Sequence, residues 1–294
     1  MPHRCFCLLL ASSLAAWASA FHAPGDQPYD RLYVFGDSYS DIGEGYLDGD
    51  GPTAVAYLAD HLEFKLFPAN KAKELKFDRS LDFAISGAGT GESAGSQIGG
   101  SLLGYGMQNQ VNDFAALVKA NKIAFAPERT LFFIAGGLND GKLATETTVA
   151  NLEGEIKTLY ALGARHFALA LLPTAIPAFS AVGQRLNPAL TLIPQQLAGE
   201  LPQAKIQLSH WGPFFDEVLH DAAAYGIHNT TDACAGRALF HQDATPCASP
   251  SDHFYYHSGH PSTATHKIVG EKLYQELFTT QPPPGADRSP AKPQ

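Results

Sequence analysis

Ser38 and a cluster of histidines are the residues most suited to chemistry in this chain. Ser38 follows RLYVFGD, in which Leu32 to Phe35 form a continuous apolar run of the kind that becomes a buried strand. Gly36 and Asp37 break the run, so Ser38 falls just past a strand's carboxyl end. Open α/β sheets bind ligands beyond that edge, and Gly36 leaves room for one. A hydroxyl there is a candidate nucleophile. A serine after an aspartate can equally cap a helix. Near the other end, His253, His257, His260 and His266 fall within the fourteen residues HFYYHSGHPSTATH. Imidazole is a base that works near neutral pH. Clustered histidines can also bind metal, but the spacing is not that of a HExxH helix and no Cys or Glu completes a known ligand pattern.

The elements that must position these residues follow from periodicity. Apolar runs at Leu81–Ile85, Leu131–Ala135, His166–Leu172 and Ile206–Leu208 read as further strands. Helical spacing fits AVAYLADHL from Ala54, Gln108–Ala120, Val149–Ala161, Phe214–Ala224 and about Thr263–Phe278. Residues 184–204 contain Pro188, Pro194 and Pro202, so any helix there is broken or short. Strands that alternate with helices imply a parallel sheet covered on both faces. The stretch SGAGTGESAGSQIGG after the second strand has neither the lysine nor the spacing of a phosphate loop. Gly87 in that stretch can offer a backbone N–H beside Ser38. The region from Gly89 to Gly106 reads as a flexible loop or a rim for a lipid chain. Asn139-Asp140-Gly141, after the third strand, reads as a turn or as an amide donor beside an acyl centre.

Four blocks, in order, resemble the SGNH hydrolases, the family with the GDSL signature. FGDSYSDIG resembles the first block, with Tyr39 in the position usually held by leucine. DFAISGAG resembles the second, with Asp82 for asparagine and Ser86 for the first glycine. Gly137-Leu138-Asn139-Asp140 resembles the GxND block, and His260-Pro261 the histidine block. The helix from Ala54 departs from the family's GPxWxxxLA, with Ala56 in place of the aromatic. The resemblance covers about Arg31 to Phe278. It implies a three-layer α/β/α sandwich around a parallel sheet of about five strands, flavodoxin-like, with no metal or cofactor. It also implies a Ser38 acyl-enzyme with His260 as general base. Ser38 N–H, Gly87 N–H and Asn139 would form the oxyanion hole, with Asp37 and Asp41 in support.

The family writes its last block DxxH, and this chain has His257 where the aspartate belongs. A neutral imidazole cannot stabilise a charged His260 as a carboxylate does. Four arrangements are open. A backbone carbonyl faces His260 Nδ1, Asp252 swings in as the acid, neutral His257 accepts the bond, or the site is crippled. The carbonyl is preferred, because it sets the tautomer without a side chain. A crippled site would make the chain a non-catalytic SGNH module that binds glycan or lipid.

The totals bound the rest. At 294 residues, with 45% apolar and 17% charged residues, the chain suits one globular domain. A formal charge of −9 excludes a nucleic-acid groove, which needs a basic face. Residues 1–20 read as a signal peptide, with Arg4, an apolar stretch and Ala18-Ser19-Ala20 for cleavage. Cys5 and Cys7 leave with it. Cys234 and Cys247 are then expected to pair as a disulfide in an exported protein, extracellular or periplasmic. The domain is expected over 21–280, with a disordered tail over 281–294. Asn229-Thr230-Thr231 fits a glycosylation acceptor. The expected partner is an ester substrate, whether a lipid, a phospholipid or an acetylated sugar. No transmembrane segment is expected, and the protein is expected to be a monomer.

Overall fold

The computed structural model describes residues 28–70 and 79–279. The expected signal peptide and tail lie outside those residues. In chain order the strands are β1 (Arg31–Gly36), β2 (Leu66–Pro68), β3 (Ser80–Asp82), β4 (Ala94–Ile98), β5 (Ser101–Tyr105), β6 (Thr130–Ala135), β7 (His166–Ala170), β8 (Lys205–Ser209), β9 (Asn229–Ala233), β10 (His253–His257) and β11 (His260–Pro261). The helices are α1 (Ala54–His61), α2 (Met107–Lys119), α3 (Thr145–Ala161), α4 (Ser180–Leu190), α5 (Ile193–Ala198), α6 (Trp211–His220) and α7 (Thr263–Thr279).

The main sheet has six strands in the order β2-β3-β1-β6-β7-β8, all parallel. Five strands match the apolar runs. They keep the flavodoxin-like order, with the first strand between the second and third. The sixth adds one strand to the expected count of about five. It is the edge strand β2, three residues ending in Pro68, too short for a periodic signal and suited to an edge by its proline. β1 lies in the interior because every residue from Leu32 to Gly36 is buried. Phe114 of α2 packs on Tyr33, Phe35, Phe83 and Phe132. Helices α2 and α3 pack together, as do α1, α6 and α7, giving the outer layers.

One further departure has a simple cause. The Gly-rich region read as a loop or rim contains the hairpin β4–β5. Most of its side chains are small or polar and β4 is largely exposed, so it shows no apolar alternation. Over 184–204 the helix is broken as expected: α4 ends at Leu190, with Pro188 in its last turn, and α5 follows as a separate turn and a half.

A small second sheet, β11-β10-β9, carries the histidine block. β10 and β11 form a tight antiparallel hairpin in which His257 and His260 pair directly across Ser258 and Gly259. Gly259 adopts φ 73°, a left-handed conformation that favours glycine. The Cys234–Cys247 disulfide is present, with Cα atoms 4.8 Å apart. It closes the loop after β9.

Candidate active site

The serine turn is assembled from main-chain hydrogen bonds. Gly36 ends β1 in close register with Ala135 of β6, and a Cβ on it would sit 2.7 Å from the Ala135 carbonyl. Gln110 of α2 clamps the same residue, accepting from Gly36 N–H at 3.0 Å and donating to its carbonyl at 2.9 Å. The chain then turns, with the Asp37 carbonyl accepting from Ser40 and Asp41 N–H. Asp41 Oδ1 accepts from Gly43 and Gly45 N–H, and Oδ2 from Tyr46 and Ser86 N–H. That carboxylate ties the serine turn to the loop after β3. Ser38 is 7% exposed, whereas its neighbours Asp37, Tyr39, Ser40 and Asp41 are exposed by 1% or less.

The other expected residues flank this turn because β1 lies between β3 and β6. Gly87 follows β3 with φ 80°, and Asn139 follows β6. Asn139 Nδ2 donates to the Ala88 carbonyl at 2.9 Å, which joins the two loops and leaves its second N–H uncommitted by that bond. Asp140 accepts from Thr90 N–H, Thr90 Oγ1 and Thr148 Oγ1.

His260 comes from the opposite end of the chain to within 2.7 Å of Ser38 Oγ, through Nε2. Tyr39 supports the contact. Its hydroxyl donates to the Gly259 carbonyl at 2.7 Å, and its ring lies 5.4 Å from the His260 ring. The tyrosine that replaces the usual leucine therefore bridges the serine and histidine turns.

Neither side chain expected to orient His260 does so directly. His257 and His260 share one face of the hairpin as a cross-strand pair. His257 Nδ1 turns to Asp48 instead, at 2.7 Å. Asp252 lies at the end of a 3₁₀ turn before β10, where its carbonyl accepts from His228 N–H, and the ring's partners are other groups. Arg237 Nη2 is 2.6 Å from Nδ1, the Ser258 carbonyl is 3.3 Å from Nδ1, and Asp48 Oδ2 is 3.3 Å from Nε2. The expected backbone carbonyl is thus present, though farther from the ring than the guanidinium.

Asp48 and Arg237 are the residues sequence reasoning missed. Asp48 sits in GYLDGDG, which reads as an ordinary turn, and Arg237 is a lone cation in the disulfide loop. Arg237 Nε donates to both Asp48 oxygens, at 2.7 and 3.0 Å, and Nη2 donates to the Ser258 carbonyl at 2.9 Å.

These contacts set the local proton affinities. Burial alone would raise the Asp48 carboxyl, but the His257 bond, the His260 ring and Arg237 together hold it below its usual value. Burial pushes His260 down to about 4, with Asp48 acting against that shift and Arg237 adding to it. A guanidinium only donates, so Nδ1 accepts from it and the neutral ring carries its proton on Nε2. Burial pushes Asp37 up to about 7, and its Oδ2 has no hydrogen-bond partner among the described residues.

The four clustered histidines face different tasks. His253 Nδ1 bonds to the Ser249 carbonyl at 3.0 Å and lies 3.5 Å from Cys247 Sγ. His266 is buried, and its Nδ1 accepts from Ala54 N–H at the start of α1.

A hydroxyl and an imidazole thus meet at the carboxyl edge of a doubly wound parallel sheet, where such folds bind their ligands. The chain belongs to the GDSL-like lipase/acylhydrolase family, whose model matches residues 32–273, and so to the carboxylic ester hydrolases. A GDSL esterase/lipase of Arabidopsis thaliana is 22% identical over 274 residues, spanning 77% of this chain and 76% of the relative. A lipolytic G-D-S-L protein of Veillonella parvula superposes with a TM-score of 0.45 at 14% identity, covering 85% of this chain and 99% of that one. An acetylxylan esterase of Geobacillus stearothermophilus gives 0.46 at 16%, covering 84% and 93%.

Proposed function

We propose that Ser38 is the nucleophile of this ester hydrolase and His260 its general base. The observation that carries this reading is the 2.7 Å contact between Ser38 Oγ and His260 Nε2. Base catalysis needs the Nε2 lone pair toward the hydroxyl, so the ring's proton must sit on Nδ1, where the Ser258 carbonyl accepts it. Arg237 then gives up its contact with Nδ1 and keeps the Ser258 carbonyl and Asp48. Ser38 Oγ attacks the ester carbonyl carbon, and its proton passes to Nε2. Ser38 N–H, Gly87 N–H and Asn139 Nδ2 receive the oxyanion. Nε2–H protonates the leaving alkoxide, and a water activated by His260 releases the acid.

The protein acts on lipid, phospholipid or sugar acyl esters outside the cytoplasm, as a single domain over 21–280. Export is supported by the leader-like residues 1–20 and by the Cys234–Cys247 disulfide. Among the described residues no helix is long and apolar enough to cross a membrane. N-terminal sequencing of the protein released by its host tests the cleavage after Ala20.

A second reading, a non-catalytic module that binds glycan or lipid, is favoured by one contact: the guanidinium on Nδ1, which leaves Nε2 without a free lone pair. A fluorophosphonate probe separates the two. Labelling lost in Ser38→Ala supports the hydrolase, and a wild-type protein that resists labelling supports the binding module. A p-nitrophenyl ester series from acetate to palmitate then reads the acyl preference.

A further inference from the structure

The loop between β1 and α1 is fastened to the histidine block beyond the serine turn as well. Asp50 Oδ1 accepts from Thr263 N–H at 2.7 Å, at the start of α7. Asp48 reaches the hairpin itself, where His257 Nδ1 lies 2.7 Å from Oδ1 and His260 Nε2 lies 3.3 Å from Oδ2. Thr263 Oγ1 also donates to the Pro52 carbonyl. A carboxylate held this way, with its side chain 9% exposed, is built into the site rather than loosely placed beside it.

We propose that Asp48 is the carboxylate of this site, a positioning residue that acts through His260 and is balanced by Arg237. It enters from the loop after β1 and supplies the negative charge that His257 cannot, beside Nε2 rather than at Nδ1. The proposal rests on the Ser38–His260 reading above. When Ser38 loses its proton to Nε2, the ring becomes an imidazolium, and that N–H lies beside Asp48 Oδ2. The carboxylate favours the charged ring while the proton stays on nitrogen until the leaving alkoxide takes it. Arg237 has two opposed effects. It neutralises part of Asp48, and it places a positive charge against Nδ1, which disfavours the imidazolium.

The substitution at position 257 explains the arrangement. An aspartate at 257 would share the hairpin face with His260 and carry the negative charge from there. Histidine is longer and cannot supply charge of that sign, so it serves as a donor that steadies Asp48 instead. The ionisable groups facing His260 are Asp48 from the β1–α1 loop, Arg237 from the disulfide loop, His257 from β10, Tyr39 from the serine turn and His266 from α7.

The test compares Asp48→Asn, Asp48→Glu, Arg237→Gln and His257→Gln with wild type. Each is assayed on a p-nitrophenyl ester, melted, and followed by NMR titration of the His260 ring. Asp48→Asn is expected to lower kcat by about 100-fold or more, with KM little changed, and to move the His260 titration downward. Asp48→Glu recovers part of the loss. Arg237→Gln moves the titration and the acid limb of kcat/KM upward. His257→Gln costs less than Asp48→Asn. A merely structural role would change melting and leave the titration in place. A His260 titration that stays at its wild-type position in both Asp48→Asn and Arg237→Gln overturns the proposal. So does a His257→Gln loss that exceeds that of Asp48→Asn. If Asp48→Asn does not fold, Arg237→Gln decides, since an unmoved ring there removes the balance proposed. Wild-type protein without Ser38-dependent hydrolysis would sink the hydrolase reading alone, because the titrations still read the influence of Asp48.

Discussion

Two sets of buried carboxylates lie on either side of Ser38, and they are satisfied in opposite ways. On the serine side, Asp41 and Asp82 accept main-chain N–H groups. Asp41 takes four, and Asp82 takes those of Ile42 and Ala84. On the histidine side, Asp48 is held by side chains, those of Arg237 and His257. Burial raises Asp37 and Asp82, whereas its cationic and donor partners keep Asp48 low. Carboxylates among N–H donors act as mortar for a turn. A carboxylate between a guanidinium and two imidazoles sets the charge of its neighbours. Position in the fold, not residue type, separates the roles.

The largest effect that would sharpen this contrast lies at the serine itself. Ser38→Ala should reduce ester hydrolysis by at least about 10⁴-fold while leaving melting close to wild type. Hydrolysis that survives would break the assignment of both sides. Asp41→Ala orphans four N–H groups, that of Ser86 buried and those of Gly43, Gly45 and Tyr46 half-buried, each worth up to about 1–3 kcal/mol when left unsatisfied. Urea unfolding should show a loss of several kcal/mol, and a loss below about 1 kcal/mol would mean that the turn does not depend on its carboxylate. Reduction of Cys234–Cys247 should cost about 3 kcal/mol by the loop-entropy account and free the segment bearing Arg237. The reduced protein should melt lower and show a His260 titration moved in the direction of Arg237→Gln.

Stability against pH tests the contrast with smaller changes. Asp37 is raised to about 7, so its proton favours the fold. That contribution is complete below about pH 4 and is lost as pH rises through 7, on the order of a few kcal/mol. Asp37→Asn should flatten this alkaline fall. Asp48 is lowered, so its contribution is present above about pH 4 and disappears as pH falls further. Asp48→Asn should flatten the acid limb and leave the alkaline one. The smallest effect is Tyr39→Phe, which removes the bond to the Gly259 carbonyl and should cost about 1 kcal/mol and a few-fold in kcat.

Much of the sheet was legible because its strands are short apolar runs bounded by glycine and proline. Edge strand β2 and hairpin β4–β5 were not, since neither buries a continuous apolar face. Ser38 stood out as a candidate from its place after a buried strand, and His260, Gly87 and Asn139 as candidates from block resemblance. Tyr39 was visible as a departure, but its reach to Gly259 spans 220 positions and has no local signature. The departure at His257 was also visible, yet its remedy was not. Asp48 is 209 positions from His257 and 189 from Arg237. No periodicity couples residues so far apart.

By itself the sequence determined the alternation of strands and helices, and with it a parallel sheet whose carboxyl edge carries the serine. Hydrophobic period and turn residues are local properties, so they survive without coordinates. Only the tertiary structure decided which charges surround the imidazole. Those depend on which loops pack against one hairpin, and burial there keeps water from screening each pairing.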